Sequence, residues 1–379
     1  MGERLTLILS GGNALGAYQA GAYETLHAEG LQPAEIVAVS TGAINAALIA
    51  GSPPQERLER LRRFWAAAAQ DAPLWALGLG YWSAAWDLSR MRALQASLLG
   101  SPAAYRPRFP GAVSILPGMP GDCSLYDMTP LRESLKRAVD FGRLNSGEVR
   151  VTVVTADVDS GEEVRFDSYE TPIGIDHLVA SCGFIPFFPP QRIDGRLLGD
   201  GGLAANLPLQ AALEEPAADD RLCIALDLFH RRHQRDEPLP SVTQALDRQL
   251  ELILSNQSWQ ALDDLRQRHA LRRQLRLLAE WVPAEQREAA TLAPALAEAA
   301  KSDGAVTLLL LSHAGVPHDA GLRAFDFSRP VLAERWASGR ADMASALHHL
   351  DGHHAAAGEF VVHAFNGSQP EAAGERGAA

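Results

Sequence analysis

"LILSGGNALGAYQAGAYETL", residues 7–26, decides the fold. Leu5 to Leu9 is a short, β-prone apolar run, and Gly11 to Gly16 is a glycine-dense turn. Ala17 to Ala28 then sets Tyr18, Ala22 and Leu26 on one helical face. A second unit follows at once, with Ile36 to Val39 as a buried strand and Ala43 to Ala50 as a helix closed by Gly51. Two strand-turn-helix units in succession predict a parallel sheet.

The same stretch poses a chemical question, because its glycines leave bare peptide N–H groups at the mouth of a helix. Acyl transfer needs amide donors about 3 Å from the oxygen that becomes negative. Gly11, Gly12 and Asn13 are candidates for that oxyanion loop. A phosphate cradle would use similar glycines, but "GGNALG" (11–16) breaks the GxGxxG spacing at its third position and lacks the GK[ST] ending of a P-loop.

"VAVSTGA", residues 37–43, sets a serine between a buried strand and a helix, with small residues two before it (Ala38) and two after it (Gly42). That describes a nucleophile elbow, a turn so tight that only small neighbours fit. Ser40 would project from the C-terminal edge of the sheet at a helix N-terminus, where free amides favour developing negative charge. The bland reading of Ser40 is a helix cap. In "LLGDGGLAANLPLQAAL", residues 197–213, Asp200 stands between glycines, so its carboxylate can approach another loop and serve as base for Ser40. Its bland reading is an Asp-Gly turn.

Together and in this order, these stretches resemble the patatin-like phospholipase family: a glycine-rich oxyanion loop, a serine elbow and a distant DG[GA] turn carrying an aspartate. Further matches are "SLYDMTPLRESL" (124–135), "TADVDSGEEVRFDS" (155–168), "ASCGFIPFFPP" (180–190) and "NLPL" (206–209). The resemblance covers roughly residues 5–230. It implies a three-layer α/β/α fold with a mainly parallel sheet, and hydrolysis of lipid acyl esters by a Ser-Asp dyad through an acyl-enzyme. Carried over, Ser40 is the nucleophile, Asp200 the base, and Gly11, Gly12 and Asn13 the oxyanion loop. Three positions depart from the pattern. Asn13 stands for a third glycine, Leu15 for Arg or Lys, and Ala38 for the glycine that opens the elbow. Asn is the non-glycine residue most tolerant of positive φ, so the loop is expected to survive. Leu15 removes a cation, which points away from phosphate-headgroup recognition and towards simple acyl esters or thioesters.

The chain has 379 residues, 47% of them hydrophobic and 21% charged, as in globular proteins. A formal charge of −12 argues against nucleic acid as partner. Three scattered cysteines, Cys123, Cys182 and Cys223, show no CxxC spacing and read as reduced thiols of a cytoplasmic protein, with no metal or other cofactor expected. The run Leu5 to Leu9 is too short for a signal h-region, and no segment offers the ~18 apolar residues of a span. "MGERLT" fits the myristoylation pattern, but Thr6 fits an alternating strand position equally. The expected partner is a lipid or acyl-ester substrate, met in the cytoplasm or at a lipid surface.

The expected organisation is a catalytic domain over 1–230, a mainly helical extension over 231–350 resembling that of a bacterial patatin-like subgroup, and a disordered tail over 365–379. Within the first, 53–120 reads as a tryptophan-rich insertion, with Trp65, Trp75, Trp82 and Trp86 among the chain's seven tryptophans. It suits a lid or membrane-contacting patch as well as an ordinary core. Downstream, Val149 to Val158 reads as a strand continuing into a hairpin through Gly161, Leu222 to Leu228 and Val306 to Leu311 as strands, residues 241–300 as two or three helices, and Ser328 to Leu350 as a helix. Arg266, Arg268, Arg272, Arg273 and Arg276, diluted by acidic neighbours, read as a solvated helix face. His348, His349, His353 and His354 lie near the chain end and carry no expected site.

Two rivals share these residues. A Ser-His-Asp hydrolase would take His313, just after the strand Val306 to Leu311, as its base. A lipid-surface or scaffold protein would have kept the fold and lost catalysis.

Overall fold

The computed structural model describes residues 4–70, 99–214, 219–231, 241–283, 286–287, 292–300, 304–315, 322–350 and 352–370. Strand β1 (Arg4–Leu9) is central, pairing in parallel with β2 (Glu35–Val39) on one edge and β9 (Arg221–Asp227) on the other. Beyond β9 the sheet continues in parallel through β10 (Val306–Ser312) and β11 (Phe360–Asn366). Beyond β2 comes β5 (Arg150–Asp157), again parallel. Antiparallel additions follow: β6 (Glu163–Asp167) and β8 (Arg196–Asp200) on β5, and β7 (Gln191–Ile193) on β8. The two-residue strands β3 (Arg106–Pro107) and β4 (Tyr126–Asp127) pair apart from this sheet.

Alternation along the parallel strands separates two cores. Leu7, Leu9, Ile36, Ala38, Val151, Val153, Ile224 and Leu309 face helices α1 (Gly16–Ala28), α2 (Thr41–Ala50) and α3 (Arg57–Ala68), together with Arg329–Leu350. Ile8, Val37, Val39, Val154, Ala225, Leu308 and Leu310 face Leu209–Leu213 and the long helix Val242–Glu280, through Leu262 and Leu265. Strands covered on both faces need apolar residues at successive positions, which is why β1 carries the unbroken apolar run Leu7 to Leu9 and β9 the run Leu222 to Leu226. The expected three-layer α/β/α fold is thus observed.

Three findings refine the reading of the C-terminal region. The leucine- and arginine-rich stretch opens with a single helix of 39 residues, Val242–Glu280, whose N-cap Ser241 accepts from the Gln244 N–H at 3.3 Å. The sheet itself runs into this region, because the apolar edge of β9 is covered by β10 in register and β10 by β11. The tail expected to be disordered from residue 365 is ordered at its start. Phe365 is buried in the core, and β12 (Gln369–Pro370) turns back antiparallel on Phe365 and Asn366. Burial of that one aromatic ring outweighs the polar composition around it.

The arginine-rich helix face is not simply solvated: Arg268 pairs with Glu214 at 3.3 Å, and Arg272 donates to the Glu214 carbonyl at 3.3 Å. Trp65 lies on α3, buried, with its indole N–H on Asn45 Oδ1 at 3.0 Å. Trp75, Trp82 and Trp86, which carried the lid reading, lie outside the described residues. Among the described residues, no helix is long and apolar enough to cross a membrane.

Candidate active site

Strand register brings the two distant stretches together. On β5, Val154 pairs with Val39, the last residue of β2, and the next residue, Thr155, pairs with Asp200, the last residue of β8. Strand β6 pairs along Thr152 to Ala156, overlapping both partners, so β2 and β8 must share the other edge of β5. The chain leaving β2 at Ser40 therefore emerges beside the chain leaving β8 at Asp200.

Ser40 has φ 54° and ψ −123°, a left-handed backbone that a serine adopts only where the surroundings enforce it. It occupies the N-cap of α2 yet makes no side-chain capping bond, so the cap reading leaves its hydroxyl unexplained. The enforcing contacts are visible. The Ser40 N–H donates to Ser181 Oγ at 2.8 Å, and Ser181 Oγ donates to the Val154 carbonyl at 2.7 Å. A side chain at Gly42 would meet the Leu9 carbonyl at 2.6 Å, which is the steric reason for a small residue there. Ala38, the other small residue of the elbow, is wholly buried opposite Leu9.

Asp200 is 3% exposed. Its Oδ1 accepts the Gly202 N–H at 2.8 Å, the Asx turn of the bland reading, while the carboxyl also faces the Ser40 hydroxyl. Burial pushes its pKa up to about 7, against the opposing pull of the Ser40 and Gly202 donors. The Cys182 thiol beside Ser40 is driven well above its ordinary range by burial and by Asp200, so it stays a neutral wall residue.

The glycine turn lies next to Ser40. A side chain at Gly11 would come within 2.7 Å of Asn206 Oδ1 and 3.1 Å of the Ser40 Cβ, so glycine alone fits without displacing the serine. Gly11 donates its N–H to the Asn206 carbonyl at 3.2 Å, and Asn206 Nδ2 reaches the Gly11 carbonyl at 3.4 Å. The Gly11 amide is therefore already engaged. Gly12 and Asn13 keep theirs clear of backbone acceptors among the described residues. Asn13 sits at φ 51°, the conformation expected of an asparagine substituting for glycine. Leu15 is fully buried and packs with Tyr18, Leu228, Phe229 and Leu254, so the position lacking a cation has become an apolar anchor.

These residues open on one cleft, with empty space of ≈ 750 Å³ out to solvent. Beyond Ser40, Asp200 and the loop, its lining is mainly apolar, including Tyr105, Phe184, Phe187, Phe188, Phe229 and Phe325. Among the described residues, no Lys, Arg or His lines it. His313 follows β10 but is wholly buried away from the cleft, its ring 4.6 Å from that of Tyr18. The His349, His353 and His363 rings cluster, with His349 and His353 stacked at 5.2 Å. Among the described residues, no group of three His, Cys, Asp or Glu is placed to hold a metal ion.

Sequence reading did not single out Ser181, Asn206, Gln19 or Asn45. Gln19 Nε2 donates to the Ser10 carbonyl at 2.9 Å, and Asn45 Nδ2 to Gln19 Oε1 at 3.1 Å, bracing the loop from behind. Only the polar positions inside otherwise apolar helical faces could have pointed to Gln19 and Asn45. Nothing local marked Ser181.

Residues 7–213 match the family model described as patatin-like phospholipase, and residues 253–356 match one described as patatin phospholipase. No curated protein matches the chain. Among solved structures, VipD from Legionella pneumophila is 15% identical, covering 62% of this chain and 51% of its own, with a TM-score of 0.35. ExoU of Pseudomonas aeruginosa, solved with SpcU, is 16% identical, covering 69% and 52%, with a TM-score of 0.29. Human GIVD cytosolic phospholipase A2 is 19% identical, covering 44% and 22%, with a TM-score of 0.22. This chain spans about half the length of the VipD and ExoU chains, and likenesses at TM-scores this low say nothing of its chemistry. A family match from residue 7 to 213, more than half of 379 residues, puts the chain in the patatin-like phospholipase family, whose members are lipid ester hydrolases.

Proposed function

We propose that this protein is a serine acyl hydrolase that cleaves carboxylic esters of lipids, of phospholipase A or lipid-esterase type, through a Ser40–Asp200 dyad. The observation that carries the reading is the shared edge of β5, where Val39 and Asp200 bond successive residues and the Ser40 hydroxyl faces the Asp200 carboxyl.

Ser40 Oγ attacks the ester carbonyl carbon while its proton passes to the Asp200 carboxylate. The carbonyl oxygen becomes the oxyanion, held by the Gly12 and Asn13 amides. Collapse breaks the bond to the alcohol, which leaves with the proton from Asp200. Water then attacks the acyl-enzyme, Asp200 takes its proton and returns it to Ser40, and the free acid departs. A base near pH 7 is well matched to this work, and burial has moved Asp200 there.

The apolar, cation-free lining favours an acyl chain over a charged headgroup in the cleft. His313, tilted against Tyr18 outside the cleft, is not well placed to be the base. Backbone strain at Ser40 supports an enzyme over a scaffold, since such strain costs about 1–3 kcal/mol and is kept where it serves a mechanism. In this reading the region 1–230 supplies the chemistry, and contact with a lipid surface supplies the substrate.

Labelling with a fluorophosphonate probe and locating the modified residue tests the proposal. Modification at Ser40, with loss of both labelling and p-nitrophenyl ester hydrolysis in Ser40→Ala, supports it. Equal hydrolysis by wild type and Ser40→Ala rejects it.

A further inference from the structure

One wall of the cleft comes from chain that follows the region carrying Ser40 and Asp200. Leu250 and Leu254 belong to the helix Val242–Glu280, and Ala324 and Phe325 to the 3-10 turn Arg323–Phe325. The two pieces meet at a buried ion pair between Glu251 and Arg323, residues that are 5% and 6% exposed. Glu251 directly follows Leu250 and lies one helical turn below Leu254, while Arg323 directly precedes Ala324 and Phe325. Each end of the ion pair is therefore flanked by the residues that line the cleft.

The joint is built to hold one geometry. Glu251 Oε2 receives Arg248 at 3.0 Å, and Arg248 donates to the Arg231 carbonyl at 2.7 Å. The Arg323 guanidinium carbon lies 5.9 Å from the centre of the Phe229 ring, itself a cleft residue. Arg335, wholly buried, donates to the carbonyls of Arg323 at 2.8 Å and Asp326 at 3.0 Å, bracing the turn from behind. Leu254 also shares a buried apolar cluster with Leu15 of the glycine loop. A carboxylate taken out of water is tolerated only while its cations answer it, so such a joint adds little net stability but strongly resists displacement.

We infer that Glu251 and Arg323 are positioning residues for substrate selection: their ion pair sets the width of the cleft by holding Leu250 and Leu254 against Ala324 and Phe325, and so sets the preference for long acyl chains. The inference rests on the acyl-hydrolase reading for its substrate class. The ester carbonyl is held by the glycine loop and the elbow, so the pair acts on the chain beyond it and reaches the chemistry only through fit.

Two readouts test this, one with turnover and one without. Glu251→Gln and Arg323→Met are compared with wild type on p-nitrophenyl butyrate and laurate. Butyrate and laurate are also titrated against bound cis-parinaric acid in a Ser40→Ala background, with and without Glu251→Gln. The laurate-to-butyrate ratio of kcat/KM is expected to fall about tenfold, carried mainly by KM. Laurate affinity falls in proportion, and Glu251→Asp, which keeps the charge, recovers most of the preference. An unchanged ratio in folded variants, or an equal loss on both esters, overturns the inference. Should both variants fail to fold, Ala324→Trp fills the wall from inside and must shift preference towards butyrate; failure to do so also overturns it. If no ester is turned over while laurate binding still depends on Glu251, the hydrolase reading falls and the assignment of the pair stands.

Discussion

Val39 and Asp200 bond to the same edge of β5, at Val154 and Thr155 in turn. Both strands end there, and the residue after Val39 is Ser40. A slip of one residue in the β5–β8 register would turn the carboxyl to the opposite face of the sheet, so the pairing fixes the approach of Asp200 to Ser40 more firmly than any single side-chain contact.

Removing the proposed base, Asp200, separates the two candidate hydrolase schemes when paired with its rival. Asp200→Asn preserves shape and the bond from Gly202, and is expected to lower kcat about 10⁴-fold on a p-nitrophenyl ester. His313→Ala loses the ring contact with Tyr18 and should lower the melting temperature while leaving turnover within a few fold. Collapse of activity in His313→Ala with a normal circular dichroism spectrum would restore the Ser-His-Asp scheme.

The pH profile follows from the environment of Asp200. If Asp200, held near a pKa of about 7, is the base, it works only when ionised, so kcat/KM should climb about tenfold per pH unit below that value and flatten above it. Stopped-flow measurements from pH 5 to 9 on an uncharged ester read the limb directly. A midpoint near the ordinary carboxylate value would show that burial does not tune this group.

The glycine loop offers two substitutions with opposite expectations. Gly11→Ala thrusts a methyl group against Asn206 and the Ser40 Cβ, and is expected to cost about 10²-fold in kcat, comparable to losing an oxyanion donor. Asn13→Gly keeps the amide and frees the left-handed backbone at φ 51°, so turnover should stay within about threefold. A large loss in Asn13→Gly would mean that its side chain, and not its amide, does the work.

Asp227, at the end of β9, carries a stability prediction. Burial pushes its pKa up to about 7, partly offset by the Phe229 N–H at 3.1 Å and by Ser258. The folded state then binds more protons than the unfolded one between about pH 4 and 7, so its stabilising contribution is full below that window and is lost as pH rises through it. Asp227→Asn retains the acceptor for Phe229 and cannot ionise. Its stability relative to wild type should improve across that window by up to about 4 kcal/mol and then stay level, as read by urea unfolding at several pH values. A pH-independent difference would refute the assignment.

Much of this protein was legible in its sequence. Leu5 to Leu9, Ile36 to Val39 and Leu222 to Leu228 announce buried parallel strands, because both faces of each must be covered and nearly every residue therefore turns apolar, Thr6 and Asp227 excepted. Ala38, Ser40 and Gly42 announce the elbow, because a turn that tight admits few other residues. These are local constraints, written into consecutive positions. The meeting of Ser40 with Asp200, the engagement of the Gly11 amide by Asn206, the role of Ser181 and the wall supplied by Leu250, Leu254 and Phe325 were decided only by tertiary structure. They depend on strand register and on which helix docks where, properties of pairings between segments far apart in the chain that leave no periodic trace in either segment alone.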